Sequence, residues 1–465
     1  MANADTIALV ADIVKADKAR RFVVVSAPGK REKTDIKVTD LLYSCAESGN
    51  FEQAFGKVKK RFEDIVKGFG SKVTLDINAE ERKIAKWIQG KKCIKDYLAS
   101  RGEYLAAKIM ADILGYEFID ASEIIKFSFD GQFLADLTHD LTKARLAKVD
   151  KGAVIPGFYG SSVDGEQYIK TFSRGGSDVT GAIIARAVDA VVYENWTDVD
   201  GFMKCDPRIV QDAKLIDVLT YKELRELSYM GANVLHPDSI FPVRAADIPI
   251  NIRNTFNRKH YIADERCQDL SKGCSQGNCS ELSKACPARL GGTMIVPTKF
   301  FSRGDYFRQN APITGIAGKK DFVAVTVEKS MLNNEIGFVR KMLKVLEDDG
   351  ISVEHIPTGI DTVCVVIDKA QFDSRQSLKK VVEDIQRECK PDTIAIIDNI
   401  ALMAVVGHGM IARKGTAADI CAALRDADIN IRMIDQGSSE LNIILAVDNK
   451  DFDKALKALY GKLVD

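Results

Sequence analysis

The chain has 465 residues, 46% of them hydrophobic, which is too long for one ordinary domain and ample for a sizeable core, so two or three domains are expected. Its 66 Lys and Arg balance 66 Asp and Glu, and a formal net charge of zero leaves no electrostatic footprint for nucleic acid or anionic lipid. The amino-terminal stretch carries Asp5, Asp12, Lys15 and Asp17, with no apolar run longer than Ile7 to Ala11. It therefore reads as neither a secretion signal nor a membrane span, and no later segment does. Of ten cysteines, six are scattered singly, as at Cys45, Cys364 and Cys421, a usage that fits a reducing cytoplasm.

Phe22 to Val25, Ala153 to Ile155 and Ala190 to Val192 read as buried strands, with helices such as Gly181 to Val188 between them. That rhythm predicts an α/β fold, a helix-flanked, mostly parallel sheet filling residues 1–300. After Asn257 the composition turns polar, and 258–291 reads as a surface insertion. It holds Cys267, Cys274, Cys279 and Cys286, with His260 upstream. Four thiolates could bind zinc, but the spacing lacks the tight pairs of most structural sites, and a solvated loop with free thiols is the other reading. Beyond residue 312 the chain repeats: Ile351 to Gly359 recurs 78 positions later as Ile429 to Gly437. Each copy, about 312–398 and 399–465, reads strand, helix, strand, strand, helix. Two such small modules tend to pack on each other or on a partner chain, and the seams are natural ligand sites.

Two segments carry chemistry. In Thr171 to Ala187, Gly175 and Gly176 open a helix of small apolar residues directly after Arg174. A helix start offers unpaired N–H groups to an anion, the glycines allow close backbone approach, and the guanidinium presents a planar fork. Ser177 or Asp178 could equally be a simple cap. The second segment, Val191 to Arg208, places Thr197, Asp198 and Asp200 just after a buried strand, where α/β sheets bind ligands, although its Asp-Gly and Asp-Pro pairs also suit plain turns. Gly29-Lys30 lacks the upstream glycine and the Ser or Thr of a phosphate-binding lysine loop.

Arg174-Gly-Gly-Ser-Asp178, Trp196-Thr-Asp-Val-Asp-Gly201, Asp206-Pro-Arg-Ile-Val210, Tyr229-Met-Gly-Ala-Asn-Val-Leu-His-Pro237 and Ile248-Pro-Ile-Asn-Ile-Arg-Asn254 stand in an order and spacing that resembles the aspartate kinases of the amino-acid-kinase family. The 78-residue repeat resembles that family's tandem ACT modules, which are ferredoxin-like α+β sensors of end-product amino acids. The resemblance implies ATP-dependent, Mg²⁺-assisted phosphorylation of L-aspartate to 4-phospho-L-aspartate, the first step toward lysine, threonine and methionine. It also implies feedback by lysine and/or threonine and assembly through the ACT modules as a homodimer or larger. By the same resemblance Asp178 is the catalytic-site aspartate, and Gly175 and Gly176 face phosphate. Ser26, Thr39, Glu103, Arg174 and Ser177 bind substrate, with Glu103 suited to an α-ammonium and Arg174 to a carboxylate. Thr197, Asp198, Arg208 and Val234 fall at nucleotide positions, and Met331, Gly337, Phe338, Glu354 and Thr358 at effector positions. Apart from the resemblance, Glu103 could be a helix-start acid, Thr39 a cap and Arg208 half of a surface pair.

The sequence departs from the family in places. Family members begin with a strand ending in Lys-Phe-Gly-Gly, whereas this sequence starts at Met1-Ala-Asn-Ala-Asp-Thr-Ile, the segment that normally follows it. The expectation is slow turnover of the chain as it stands, and the alternative function is a catalytically weak amino-acid-sensing subunit. Asn233 stands where many members have lysine, Met203 replaces a frequent tyrosine, and Pro357 to Asp361 differs from the lysine-sensitive type.

Overall fold

The computed structural model of the chain describes residues 1–48, 50–89, 91, 94–163, 168–173, 175–232, 234–235, 240–257, 291–298, 312–374 and 377–464. Arg174, Asn233, His236, His260 and the four cysteines of 258–291 lie outside them. The chain divides into two compact units: Met1–Gly201 with Asp217–Tyr221 and Val234–Thr298, and Phe202–Ile216 with Lys222–Asn233 and Lys299–Asp465. Among the described residues no helix is long and apolar enough to cross a membrane.

In the first unit the strands are β1 (Phe22–Val25), β2 (Glu117–Phe118), β3 (Lys126–Phe127), β4 (Ala153–Pro156), β5 (Tyr159–Ser162), β6 (Ile169–Thr171), β7 (Tyr193–Thr197), β8 (Val218–Thr220), β9 (Ile250–Asn254) and β10 (Thr293–Val296). They form three sheets, ordered β1-β4-β2, β3-β5-β6 and β7-β9-β10-β8. Every pairing is parallel except β5 with β6 and β9 with β10. Helices α1 (Ala4–Ala16), α2 (Val38–Glu47), α3 (Phe51–Phe69) and α4 (Lys95–Leu114) pack at the amino-terminal side, together with the helix Ile77–Ile88. Asn3 and Thr6 close a capping box on α1, the Asn50 side chain accepts from Gln53 N–H to start α3, and Gly115 in the left-handed region ends α4. Leu42, Phe55, Phe62, Leu98, Ile109 and Met110 are fully buried between these helices and the sheet.

The strand expected at Ala190 to Val192 lies three residues later, at Tyr193–Thr197. Helix α5 (Gly176–Ala187) ends in a turn with Asp189 at φ 49°, and Ala190 N–H still returns to Ala185 O at 2.9 Å. Val191 is 56% exposed. The apolar run is thus consumed leaving the helix, and pairing with β9 begins only at Tyr193.

The second unit contains α6 (Tyr221–Tyr229) from Lys222 onward and the repeat. Its strands β11 (Gly315–Glu328), β12 (Thr362–Asp368), β13 (Thr393–Val406), β14 (Met433–Asp435) and β15 (Asn442–Asp448) form one antiparallel sheet ordered β12-β11-β13-β15-β14. Helices α7 (Phe338–Asp348) and α8 (Leu378–Cys389) cover one core, with Val325, Met342, Val365 and Ile385. Helices α9 (Thr416–Asp426) and α10 (Phe452–Leu463) cover the other, with Met403, Leu424, Leu445 and Leu459. The repeats interleave. The far half of β11, Phe322 to Glu328, pairs with β12 and the start of β13, while its near half, Gly315 to Lys319, pairs with Leu402 to Val406 of the second copy. The register shift between Lys319 and Phe322, where Asp321 takes φ 70°, separates the two halves.

Candidate active site

The turn between β4 and β5 sits on the first turn of α5. Gly157 has no room for a side chain, since a Cβ there would stand 2.6–2.8 Å from the Oγ, Cβ and Cα of Ser177, and one on Gly176 would stand 2.5 Å from the Phe158 ring. Phe158 N–H donates to Thr180 Oγ1 at 3.1 Å, and that hydroxyl donates to Gly176 O at 2.9 Å. Gly175 caps the helix with φ 55°, a conformation glycine adopts freely. The amide-rich helix start is thereby fixed in place and suited to an anion.

Asp178 in this first turn is half-buried, and its Oδ1 accepts from Asn195 Nδ2 at 2.9 Å. The same amide nitrogen lies 3.2 Å from Tyr193 Oη, whose hydroxyl donates to Asp178 O at 3.3 Å. Burial raises the Tyr193 phenol far above its usual range, and the Asp178 charge adds to that. Tyr193 therefore stays neutral. The sequence motifs do not single out Tyr193 and Asn195, which stand four and two residues before Thr197. Their alternation in β7 puts both on one face, and that was the available signal.

Glu103 lies in the middle of α4 rather than at its start, only 5% exposed. Its helix approaches the segment after β1 closely: a Cβ on Gly102 would meet Ala27 Cβ at 2.8 Å. Burial pushes the Glu103 carboxyl up to about 8, moderated by the Ala27 amide, and its Oε2 has no hydrogen-bond partner. A buried carboxylate with an unused oxygen awaits a cation, because leaving such a group unpaired is costly. Tyr43, Asp96 and Thr171 gather around it: Thr171 Oγ1 donates to Asp96 Oδ1 at 3.2 Å, and the charges of Asp96 and Glu103 help raise the Tyr43 phenol after burial does so. Ser26 is exposed directly beyond β1, and Thr39 is half-buried in the first turn of α2, which Lys37 caps without a side-chain bond.

At the end of β7, Thr197 Oγ1 donates to Asp198 Oδ1 at 3.2 Å, and Asp198 is exposed. Asp200 accepts from the amides of Asn254 and Asn257, each at 3.1 Å. Val234 is half-buried. In the second unit Arg208 is 85% exposed and pairs with Asp206, with Nη2 to Oδ2 at 2.6 Å; this is the surface pair that its sequence position also allowed.

Of the effector positions, Met331 is 66% exposed at φ 61°, its N–H donating to Asp361 Oδ1 at 2.9 Å. Gly337 caps α7 at φ 82°. The Phe338 side chain is buried in the core, and its N–H donates to Glu335 O at 3.3 Å. Glu354 N–H donates to Val366 O and Val366 N–H to His355 O, both at 2.9 Å, two residues facing one as in a β-bulge. The Glu354 carboxylate faces the Tyr229 hydroxyl of α6. Thr358 is exposed and bridges Val363.

Residues 1–254 match the amino acid kinase family, and 403–463 match an ACT domain. Aspartokinase 3 of Bacillus subtilis (strain 168) is 33% identical over 467 residues, 96% of this chain and 93% of that protein. The crystal structure of Clostridium acetobutylicum aspartate kinase shares 43% identity over 99% of this chain and 97% of its own, with a TM-score of 0.86. Aspartokinase III of E. coli, solved with aspartate and ADP, has the same fold at 22% identity and a TM-score of 0.69. The fold and the helix-start site define an amino acid kinase carrying ACT modules. Within that class the chain belongs to the aspartokinase family. It is an enzyme that phosphorylates L-aspartate with ATP under ACT-domain feedback.

Proposed function

We propose that the α5 helix start and the Glu103 pocket divide the aspartate kinase reaction between them. The observation that carries this reading is the buried, unpartnered Glu103 oxygen in the same unit as an anion-suited helix start. Glu103 takes the α-ammonium of aspartate, Arg174 and Ser177 take its α-carboxylate, and Ser26 and Thr39 add hydroxyl contacts. The side-chain carboxylate then attacks the γ-phosphorus of ATP; a new C–O–P bond forms as the bond to the β-phosphate oxygen breaks, and ADP leaves with that electron pair. The Gly175 and Gly176 amides stabilise phosphoryl charge, and Asp178, held by Asn195, orients the reacting groups. Thr197, Asp198 and Val234 hold the nucleotide.

Mg²⁺ fits this donor set. Among the described residues no group of three His, Cys, Asp or Glu converges to cage a metal, and Mg²⁺ is usually held by one or two carboxylates together with substrate phosphates, whose charge it neutralises. Asp178 is the acidic residue in the first turn of α5 and the carboxylate that would take part in holding the ion. Feedback by lysine or threonine is assigned to the Met331, Gly337, Phe338, Glu354 and Thr358 region. The exposed Met331, Ile336, Ile356 and Ile360 of the same module support a homodimer through it. A cytoplasmic setting agrees with the free thiols of Cys45, Cys205, Cys364, Cys389 and Cys421.

The test is ADP release from ATP and Mg²⁺ with aspartate as acceptor. Release should depend on aspartate and vanish in Asp178→Ala, with circular dichroism unchanged. Near-normal turnover of that variant would remove Asp178 from the mechanism.

A further inference from the structure

Helix α6 stands in the sequence between β8 and Val234, both parts of the first unit, yet from Lys222 to Asn233 the chain belongs to the second. Its apolar face is sunk there, with Leu224, Leu227 and Met230 almost fully buried. Its polar side chains hold both ACT modules. The carboxylate of Glu223, 1% exposed, accepts from His408 N–H at 2.8 Å and from the Thr314 hydroxyl at 2.6 Å. One turn on, Glu226 accepts from Asn442 Nδ2 at 2.6 Å, so two successive turns are anchored to the second module. A further turn on, the Tyr229 hydroxyl faces Glu354 of the first module. The helix ends at Tyr229, and the chain turns at Gly231, φ 104°, where a Cβ would stand 3.4 Å from Gly318 O; Val234 follows three residues later.

A helix of two and a half turns tethered to both modules moves with them as a rod, and whatever displaces it is passed to the backbone that continues from its end. We propose that α6 is the link through which an amino acid bound at the ACT modules changes nucleotide affinity, with Glu226 and Asn442 as positioning residues. Neither touches substrate. The charge-assisted bond between them favours one seating of the helix on the second module, and an effector alters nucleotide binding only as far as it prefers a different seating. The inference rests on the reading that the ACT modules bind a regulatory amino acid, and it adds the route, through α6 and the Glu226–Asn442 bond.

The experiment uses the full chain and two readouts, calorimetry of lysine and of threonine, and the KM for ATP with and without the amino acid that binds. In the wild type the bound amino acid should raise KM for ATP by about 5- to 150-fold, the usual range of allosteric coupling. In Glu226→Ala and in Asn442→Ala the amino acid should still bind, while the rise in KM shrinks by about tenfold, the loss expected for a hydrogen bond to a charged group. Glu226→Gln, whose amide oxygen also accepts from Asn442, should restore most of the coupling, which a general loss of stability would not. A wild type that binds neither amino acid overturns the effector reading and this inference together. A wild type that binds and responds, beside alanine variants whose KM for ATP responds equally, overturns the role of α6 alone.

Discussion

The Asn195 side-chain amide donates to Asp178 Oδ1 at 2.9 Å, joining the middle of β7 to the first turn of α5. The bond fixes the orientation of the carboxylate. Asn195→Ala should therefore lower kcat by about 10- to 100-fold, the usual cost of removing a group that orients a functional side chain, with KM for aspartate little changed. Asp178→Ala should cost more, about 10³-fold or above. Steady-state ADP release checks both, and an Asn195→Ala enzyme with wild-type kcat would show that the bond is only structural.

Glu103 sets the pH dependence of substrate binding. Its carboxyl is pushed up to about 8 by burial, so at neutral pH the empty pocket holds it mostly protonated. An ammonium stabilises the carboxylate, so aspartate binding should expel a proton, and affinity should rise by about tenfold per pH unit from pH 6 to 7.5 before levelling above 8. Calorimetry in buffers of different ionisation enthalpy reads the proton directly. Glu103→Gln should abolish that release and flatten the profile, whereas proton uptake by the wild type would contradict the pocket.

The same shift acts on stability with a definite sign. Glu103 keeps its proton when folded but loses it above about 4.5 when unfolded, so between roughly pH 5 and 8 its contribution falls as pH rises. Thermal melts of Glu103→Gln should show a weaker decline over that window than the wild type does.

Gly157→Ala tests the seat of α5. The added Cβ meets the Ser177 Cα at 2.8 Å, and backbone cannot rotate away as a side-chain end can. The substitution should cost about 1–3 kcal/mol in urea unfolding and reduce kcat by displacing the helix start. Full activity at unchanged stability would mean that the turn and helix are not in close contact.

Glu354→Ala removes the proposed ammonium partner of the effector. Lysine and threonine binding, measured separately and together, should be lost or much weakened while KM for aspartate without effector holds steady. Undiminished binding by the variant would move the effector elsewhere.

Much of the fold was legible because its signals are local. Phe22 to Val25 is the strand β1 and Thr416 to Asp426 is the helix α9, since an apolar β-branched run and a helical period with a glycine start each carry their own instruction. The glycine pair before Ser177 likewise marked a helix start that the fold then built into a site. The strand at Ala190 failed for the converse reason: three apolar residues fit a strand or the exit from a helix equally well, and only pairing with β9 selects Tyr193. The interleaving of the repeat was hidden because Gly315 to Lys319 is brought to Leu402 by hydrogen bonds across more than eighty residues of chain, which no local pattern encodes.

By itself the sequence determined which residue types stand at the helix start, that a module is repeated, and which family chemistry the motifs imply. Only the tertiary structure decided that Asn195 holds Asp178, that Glu103 is buried with an oxygen unused, and that α6 leaves its sequence neighbours to anchor on the ACT modules. The physical reason is that charge state, burial and hydrogen-bond partnership belong to surroundings assembled from distant segments, whereas propensity and periodicity belong to the segment alone.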